Sequence, residues 1–144
     1  MEYFLEDLGY QMEIVEDREL NGAYAVTYPN EKLLKIRESV YNGAVNDNPR
    51  DRFTLAHELG HIILHPTEII GDLKLARTND IIPAYRNPEW QANIFAGELL
   101  APSNLIVGMD KEEISERCKI SLQAAGIRYS DVSGESLLHK KEPL

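Results

Sequence analysis

Between residues 11 and 41 the apolar positions come in short runs, Gln11–Val15, Ala23–Tyr28 and Leu33–Tyr41, broken by the turn-forming pairs Asn21-Gly22 and Pro29-Asn30. Short runs carrying Val, Ile, Thr and Tyr predict strands, and the brief turns between them predict a small antiparallel sheet. From Asn48-Pro49 the spacing changes. In RDRFTLAHELGHIILHP the residues Phe53, Leu55, Leu59, Ile62, Ile63 and Leu64 fall on nearly every side of a helix, which predicts a helix buried all round. Pro66 ends it, because proline disfavours helical backbone in the residue before it. The stretch through Arg86 carries Gly71 and Pro83 and has no clean period, so it reads as mostly loop. A second helix is announced by Asn87-Pro88, an N-cap followed by proline at the first helical position, where its missing N–H costs nothing. It runs to about Leu100 and stops at Pro102. Lys111–Lys119 and Leu122–Tyr129 read as two short helices joined by an Ile120-Ser121 turn.

Strands followed by helices predict an α+β fold. At 144 residues the chain suits one compact domain. The expected organisation is a single domain over 1–133, with 111–130 a helical pair and 134–144 a loosely held tail. The sheet is expected to pack on the buried helix.

Composition narrows the classes. Hydrophobic residues at 43% and charged ones at 27% exclude a disordered chain. A formal net charge of −9 argues against direct binding of nucleic acid, which rests on clustered Lys and Arg. Cys118 is the single cysteine, so no internal disulfide forms, and a reducing, cytoplasmic location is expected. The acidic start MEYFLEDLGYQMEIVED has neither the basic region nor the apolar run of a signal peptide, and no stretch is long enough to span a membrane.

The chemistry concentrates in His57-Glu58-Leu59-Gly60-His61. Residues four apart share a helix face, so the two imidazoles can reach one cation. Glu58 is turned away from that face and cannot join them as a ligand, which makes it the candidate general base toward water at the site. Read as plain core residues, these groups would be polar side chains in need of partners on an apolar helix. His65 lies about 12 Å along the axis from His57 and is too far to share the ion; it suits the C-terminal end of the helix dipole. A third ligand is required, and Glu89 is the candidate. On the second helix it shares a face with Ala92, Asn93 and Ala96, and the alanines let a neighbouring helix approach. Glu98 points off that face. Asn93 either orients a metal-bound imidazole or is a buried polar residue satisfied elsewhere. Gly60 costs about 1 kcal/mol in mid-helix relative to alanine, and close approach of another backbone or of the metal shell is a motive for it. Arg52 is a candidate to pair with an acidic neighbour.

RFTLAHELGHIILHP followed by EWQANIFAGELLAP resembles the ImmA/IrrE family of metallopeptidases over roughly residues 20–130. The resemblance implies a minimal zincin-like fold, zinc held by His57, His61 and Glu89, and Glu58 as catalytic base. It further implies a protein substrate, a helix-turn-helix repressor of the XRE type in a bacterium, phage or mobile element, whose cleavage releases silenced genes. Ile114–Ala125 also resembles a helix-turn-helix, but its basic residues are nearly matched by acidic ones, so packing on the catalytic core or contact with substrate is expected in place of DNA reading. Tyr85, Arg86, Tyr129 and His139 are equal candidates to stabilise an oxyanion. The strand Leu33–Tyr41 is a candidate edge for an extended substrate. Rival functions are a non-catalytic binding module, a DNA-binding regulator acting through 111–129, and a toxin–antitoxin component.

Overall fold

The computed structural model describes residues 2–64 and 87–141, with side chains over 3–64 and 87–134. In chain order the elements are helix α1 (Glu2–Asp7), strand β1 (Gln11–Val15), a 3-10 turn (Asp17–Leu20), strands β2 (Ala25–Tyr28) and β3 (Leu33–Arg37), and helices α2 (Glu38–Val45) and α3 (Pro49–Leu64). Helices α4 (Pro88–Leu100), α5 (Ser103–Ile106), α6 (Lys111–Cys118) and α7 (Leu122–Lys141) follow. The fold is α+β, as the order of apolar patterns predicts.

The sheet departs from the expected antiparallel one. Its order is β1-β3-β2, with β1 parallel to β3 and β2 antiparallel to it. Among the described residues only β2 and β3 form a hairpin. The connection from β1 to β2 contains the 3-10 turn and a left-handed residue, Asn21 at φ 49°, and it leaves a one-strand slot that β3 fills. The predicted strand Leu33–Tyr41 also ends early, at Arg37, and Glu38–Val45 is helical. As β3 is paired on both sides, it offers no edge to a substrate; among the described residues the open edges belong to β1 and β2.

Local caps explain the helix starts. The Asn48 side chain accepts from the Asp51 N–H at the head of α3, and Asn87 accepts from Glu89 and Trp90 at the head of α4. Asp110 accepts from the Glu113 N–H and Ser121 from the Ala124 N–H, starting α6 and α7. Helix α7 is one 20-residue element, longer than the predicted Leu122–Tyr129. The expected loose tail concerns residues whose side chains lie outside the described ones, as do residues 65–86 with His65.

Among the described residues two apolar clusters form the core. Leu5, Leu34, Ile36, Val40 and Ile62 join the sheet to α1, α2 and α3. Ala101, Ile106, Ile114, Ile120 and Ala125 knit α5, α6 and α7 together. Burial of α3 is less complete than its composition suggests. Ile62 is buried and Phe53, Leu55 and Leu59 are half-buried, while Ile63 and Leu64 are exposed among the described residues. One face meets the sheet and α2 and another meets α4; the short chain supplies no further layer among the described residues.

The helix-turn-helix-like pair is docked through its turn. Arg52, near the start of α3, donates to the carbonyls of Lys119 (3.2 Å) and Cys118 (3.4 Å), and lies 4.0 Å from Asp47. Lys119 itself pairs with Asp47 at 2.8 Å. The expected acidic partner of Arg52 is therefore present, although the carbonyls carry the hydrogen bonds. No helix among the described residues is long and apolar enough to cross a membrane.

Candidate metal centre

The site forms where α3 and α4 touch. At the contact, a Cβ on Gly60 would stand 3.2 Å from the Ala92 Cα, 3.3 Å from its carbonyl oxygen and 3.1 Å from Phe95 Cδ1, so the glycine is what lets the two helices approach. Ala92 and Ala96 on the facing side are fully buried. The close approach carries Glu89, in the first turn of α4, over the two histidines of α3.

Glu89 Oε2 lies 2.9 Å from His57 Nε2, and Oε1 lies 3.4 Å from His61 Nε2. The two Nε2 atoms are 3.0 Å apart, with the rings edge-on at 86°. A tetrahedral ion with bonds of about 2.0–2.1 Å separates its donors by about 3.3 Å. The three distances bracket that value closely enough for one cation to take all three donors, and the donor set, two imidazoles and a carboxylate, matches that of zinc sites with an open position. Three groups whose lone pairs converge need either shared protons or a cation between them. The residues present thus fit a metal ion.

The electrostatics follow from this crowding. Burial works to lower the His57 pKa, but the hydrogen bond and charge of Glu89, with smaller effects from Glu58 and Asn93, raise it on balance. Hydrogen bonds from His57 and then His61 hold the Glu89 carboxyl far below the usual carboxylate range. The Asn93 side-chain oxygen lies 2.8 Å from His57 Nδ1 and accepts its N–H when that nitrogen is protonated, leaving Nε2 to face the site. Of the two readings open for Asn93, orienting the imidazole is the one with a contact behind it.

Glu58 reaches to the sheet while staying within range of the charges of His61, His57 and Glu89. Burial pushes its carboxyl up, and a hydrogen bond from the Thr27 hydroxyl, 2.8 Å from Oε2, partly offsets this. Thr27 was not among the sequence candidates, although strand alternation offers a signal: β2 positions 25 and 27 share the inward face with Leu34 and Ile36, and a polar residue facing inward needs a partner. Glu98, as expected, faces elsewhere, toward Arg128 and Ser103. Tyr129 lines a depression with Ile106, Val107, Met109 and Val132, none of them part of the histidine cluster. Tyr85, Arg86 and the His139 side chain lie outside the described residues.

The model of the peptidase M78 family, described as the IrrE N-terminal-like domain, matches residues 21–130, and both halves of the His57–His61–Glu89 cluster fall inside the match. The chain belongs to the peptidase M78 family. No curated protein matches it. For an M78 member a mixed α+β domain built on this helix pair is consistent, and the match begins just before β2 and ends within α7, so it spans the strand that touches Glu58 and the helices that follow α4.

Proposed function

We propose that this protein is a zinc-dependent endopeptidase acting in the cytoplasm, with His57, His61 and Glu89 as metal ligands and Glu58 as catalytic base. The observation that carries the reading is the convergence of three ligand atoms from two helices beside a separate, partly buried carboxylate. Bound zinc would supply a Lewis acid that acidifies water and polarises a peptide carbonyl. Glu58 takes the proton from the attacking water and passes it to the leaving amine. Thr27 fixes one carboxylate oxygen of Glu58, which leaves the other free for this traffic, and Asn93 fixes the His57 ring.

The substrate we propose is an XRE-type helix-turn-helix repressor, whose cleavage would release the genes it silences. Family membership supports the peptidase class; the repressor follows from the resemblance of RFTLAHELGHIILHP and EWQANIFAGELLAP. The net charge of −9, and the engagement of Lys119 by Asp47 at the turn of the α6–α7 pair, speak for a protein partner over DNA.

The test combines metal content with cleavage. Wild-type protein purified and supplied with zinc should carry about one zinc per chain by elemental mass spectrometry. Incubated with XRE-type repressors encoded beside its gene, it should generate a fragment pair that the Glu58→Gln variant, still zinc-loaded, does not. A wild type that holds no stoichiometric metal would sink this function.

A further inference from the structure

Two arginines, Arg37 at the end of β3 and Arg50 in the first turn of α3, meet beside Tyr24 and have no part in the chemistry above. The Arg37 guanidinium carbon lies 5.2 Å from the centroid of the Tyr24 ring and that of Arg50 lies 5.3 Å from the same centroid, both within cation–π range. The ring is 46% exposed. Arg37 Nε is buried and has no hydrogen-bond partner among the described residues, a state that costs more than a hydrogen bond usually returns. Neighbouring acids act on the pair through charge, Asp17 on Arg37 and Asp51 on Arg50, but not through hydrogen bonds to the guanidinium groups. Asp17 accepts from the Ser39 N–H at 3.2 Å, and Asp51 stands 3.7 Å from Arg50 Nε, beyond hydrogen-bond range. In a chain of net charge −9, two cations on one ring with donors to spare form a local attraction for an anion.

Position identifies which anion. The Arg37 N–H donates to the Tyr24 carbonyl at 3.1 Å, so Tyr24 sits at the entry to β2. Three residues on, Thr27 touches Glu58; at about 3.3 Å per residue the two strand positions are about 10 Å apart. Arg50 precedes Glu58 on α3 by a distance of about 12 Å. The two spacings agree, so β2 and α3 run in the same direction with the arginine pair upstream of Glu58. Among the described residues β2 has an open edge, and an extended peptide pairing with it would carry a side chain to Tyr24.

We propose that Arg37 and Arg50, stacked on Tyr24, hold an acidic side chain of a peptide lying along the open edge of β2, about three residues from the bond that is cut. Guanidinium groups present paired donors that match a carboxylate. The place of the acid relative to the cut bond rests on the metallopeptidase reading; the carboxylate contact itself does not.

Binding is measured with zinc-loaded Glu58→Gln protein and two fluorescein-labelled decapeptides, one alternating Val and Glu, the other Val and Gln. The Glu peptide should bind at least about tenfold more tightly at low salt. Arg37→Gln and Arg50→Gln, each added to that background, should remove most of the difference. The Arg50 side chain is 69% exposed, so its variant remains informative should the other fail to fold. Equal binding of the two peptides, or a preference that survives both substitutions, overturns the site. Cleavage is then read by mass spectrometry of new termini in an N-terminally blocked peptide mixture from a cell lysate, wild type against Glu58→Gln. Enrichment of Asp and Glu about three residues from the new termini supports the register, and new termini without it overturn the register. A Glu preference in binding with no new termini at all keeps the carboxylate site, and removes the peptidase reading together with the register that depends on it.

Discussion

At one end of α4 Glu89 faces two imidazoles, so that three groups bearing lone pairs converge; at the other end Glu98 faces Arg128, with the Ser103 N–H and hydroxyl as further donors. Arg128 is nearly buried and completes itself on the Ala101 carbonyl, the Ser103 hydroxyl and Asp131. Both glutamates are held below the ordinary carboxylate range, Glu89 chiefly by His57 and Glu98 chiefly by the Ser103 N–H. A depressed carboxyl alone therefore does not mark a functional site. What separates the two is the chemistry of the groups that meet: at Glu98 a carboxylate meets donors, whereas at Glu89 three potential ligand atoms converge in a set that suits a cation.

The largest expected effect breaks that comparison directly. Glu89→Ala should weaken zinc binding by at least about a hundredfold, because a ligand is lost and not merely an outer partner, whereas Glu98→Ala should leave it unchanged. Competition with a chromogenic chelator reads both. Equal loss in the two variants would mean that α4 as a whole, and not the Glu89 carboxylate, governs the metal.

The complementary variant, Arg128→Ala, should cost about 2 kcal/mol of stability in urea unfolding, since it strips the Ala101 carbonyl and Glu98 of their partner, and should leave zinc stoichiometry intact. Its pH dependence has a fixed sign. A carboxyl whose folded pKa lies below its unfolded one contributes stability that is fully present above the unfolded value and lost as pH falls through the folded one. Since Arg128 is among the groups that depress Glu98, the stability gap between wild type and Arg128→Ala should narrow in acid.

How differently these clusters could be read beforehand has a physical cause. His57, His61 and Glu89 were legible because helical period fixes which side chains share a face, and Gly60 and Ala92 announced that two such faces meet. The Arg128 clasp joins α7 to the end of α4 across 30 residues of chain, and no local period encodes that distance. Sheet order failed for the same reason. Apolar runs and turn residues specify strands and the β2–β3 hairpin, but the parallel pairing of β1 with β3 depends on where the intervening chain comes to rest. The end of β3 at Arg37 was hidden because Val40 and Tyr41 extend the apolar pattern while serving as the inner face of α2.

A smaller effect sharpens the role of the helix contact. Gly60→Ala adds a methyl that must displace the Ala92 backbone or the Phe95 ring, a cost of about 1–2 kcal/mol. Because the same contact holds Glu89 over the histidines, zinc affinity should fall together with stability, unlike in Arg128→Ala, where stability falls alone. Chelator competition and urea unfolding on the same preparations separate the two patterns.

The smallest expected effect lies at Thr27, and it concerns rate more than stability. Burial raises the Glu58 carboxyl and the Thr27 hydroxyl partly offsets this. A general base works when ionised, so protonation of Glu58 sets an acid limb on the kcat/KM profile. Thr27→Val keeps the shape of the side chain and removes the donor, so the Glu58 pKa should rise further and the acid limb should move to higher pH. On the plateau kcat should drop by about three- to tenfold as the carboxylate loses its fixed orientation, an effect of about 1 kcal/mol, with zinc content unchanged. Thr27→Ser restores the hydroxyl and should restore both the limb and the rate. If Thr27→Val lowers stability and leaves the profile where it was, the hydroxyl serves the packing of β2 on α3 and not the base.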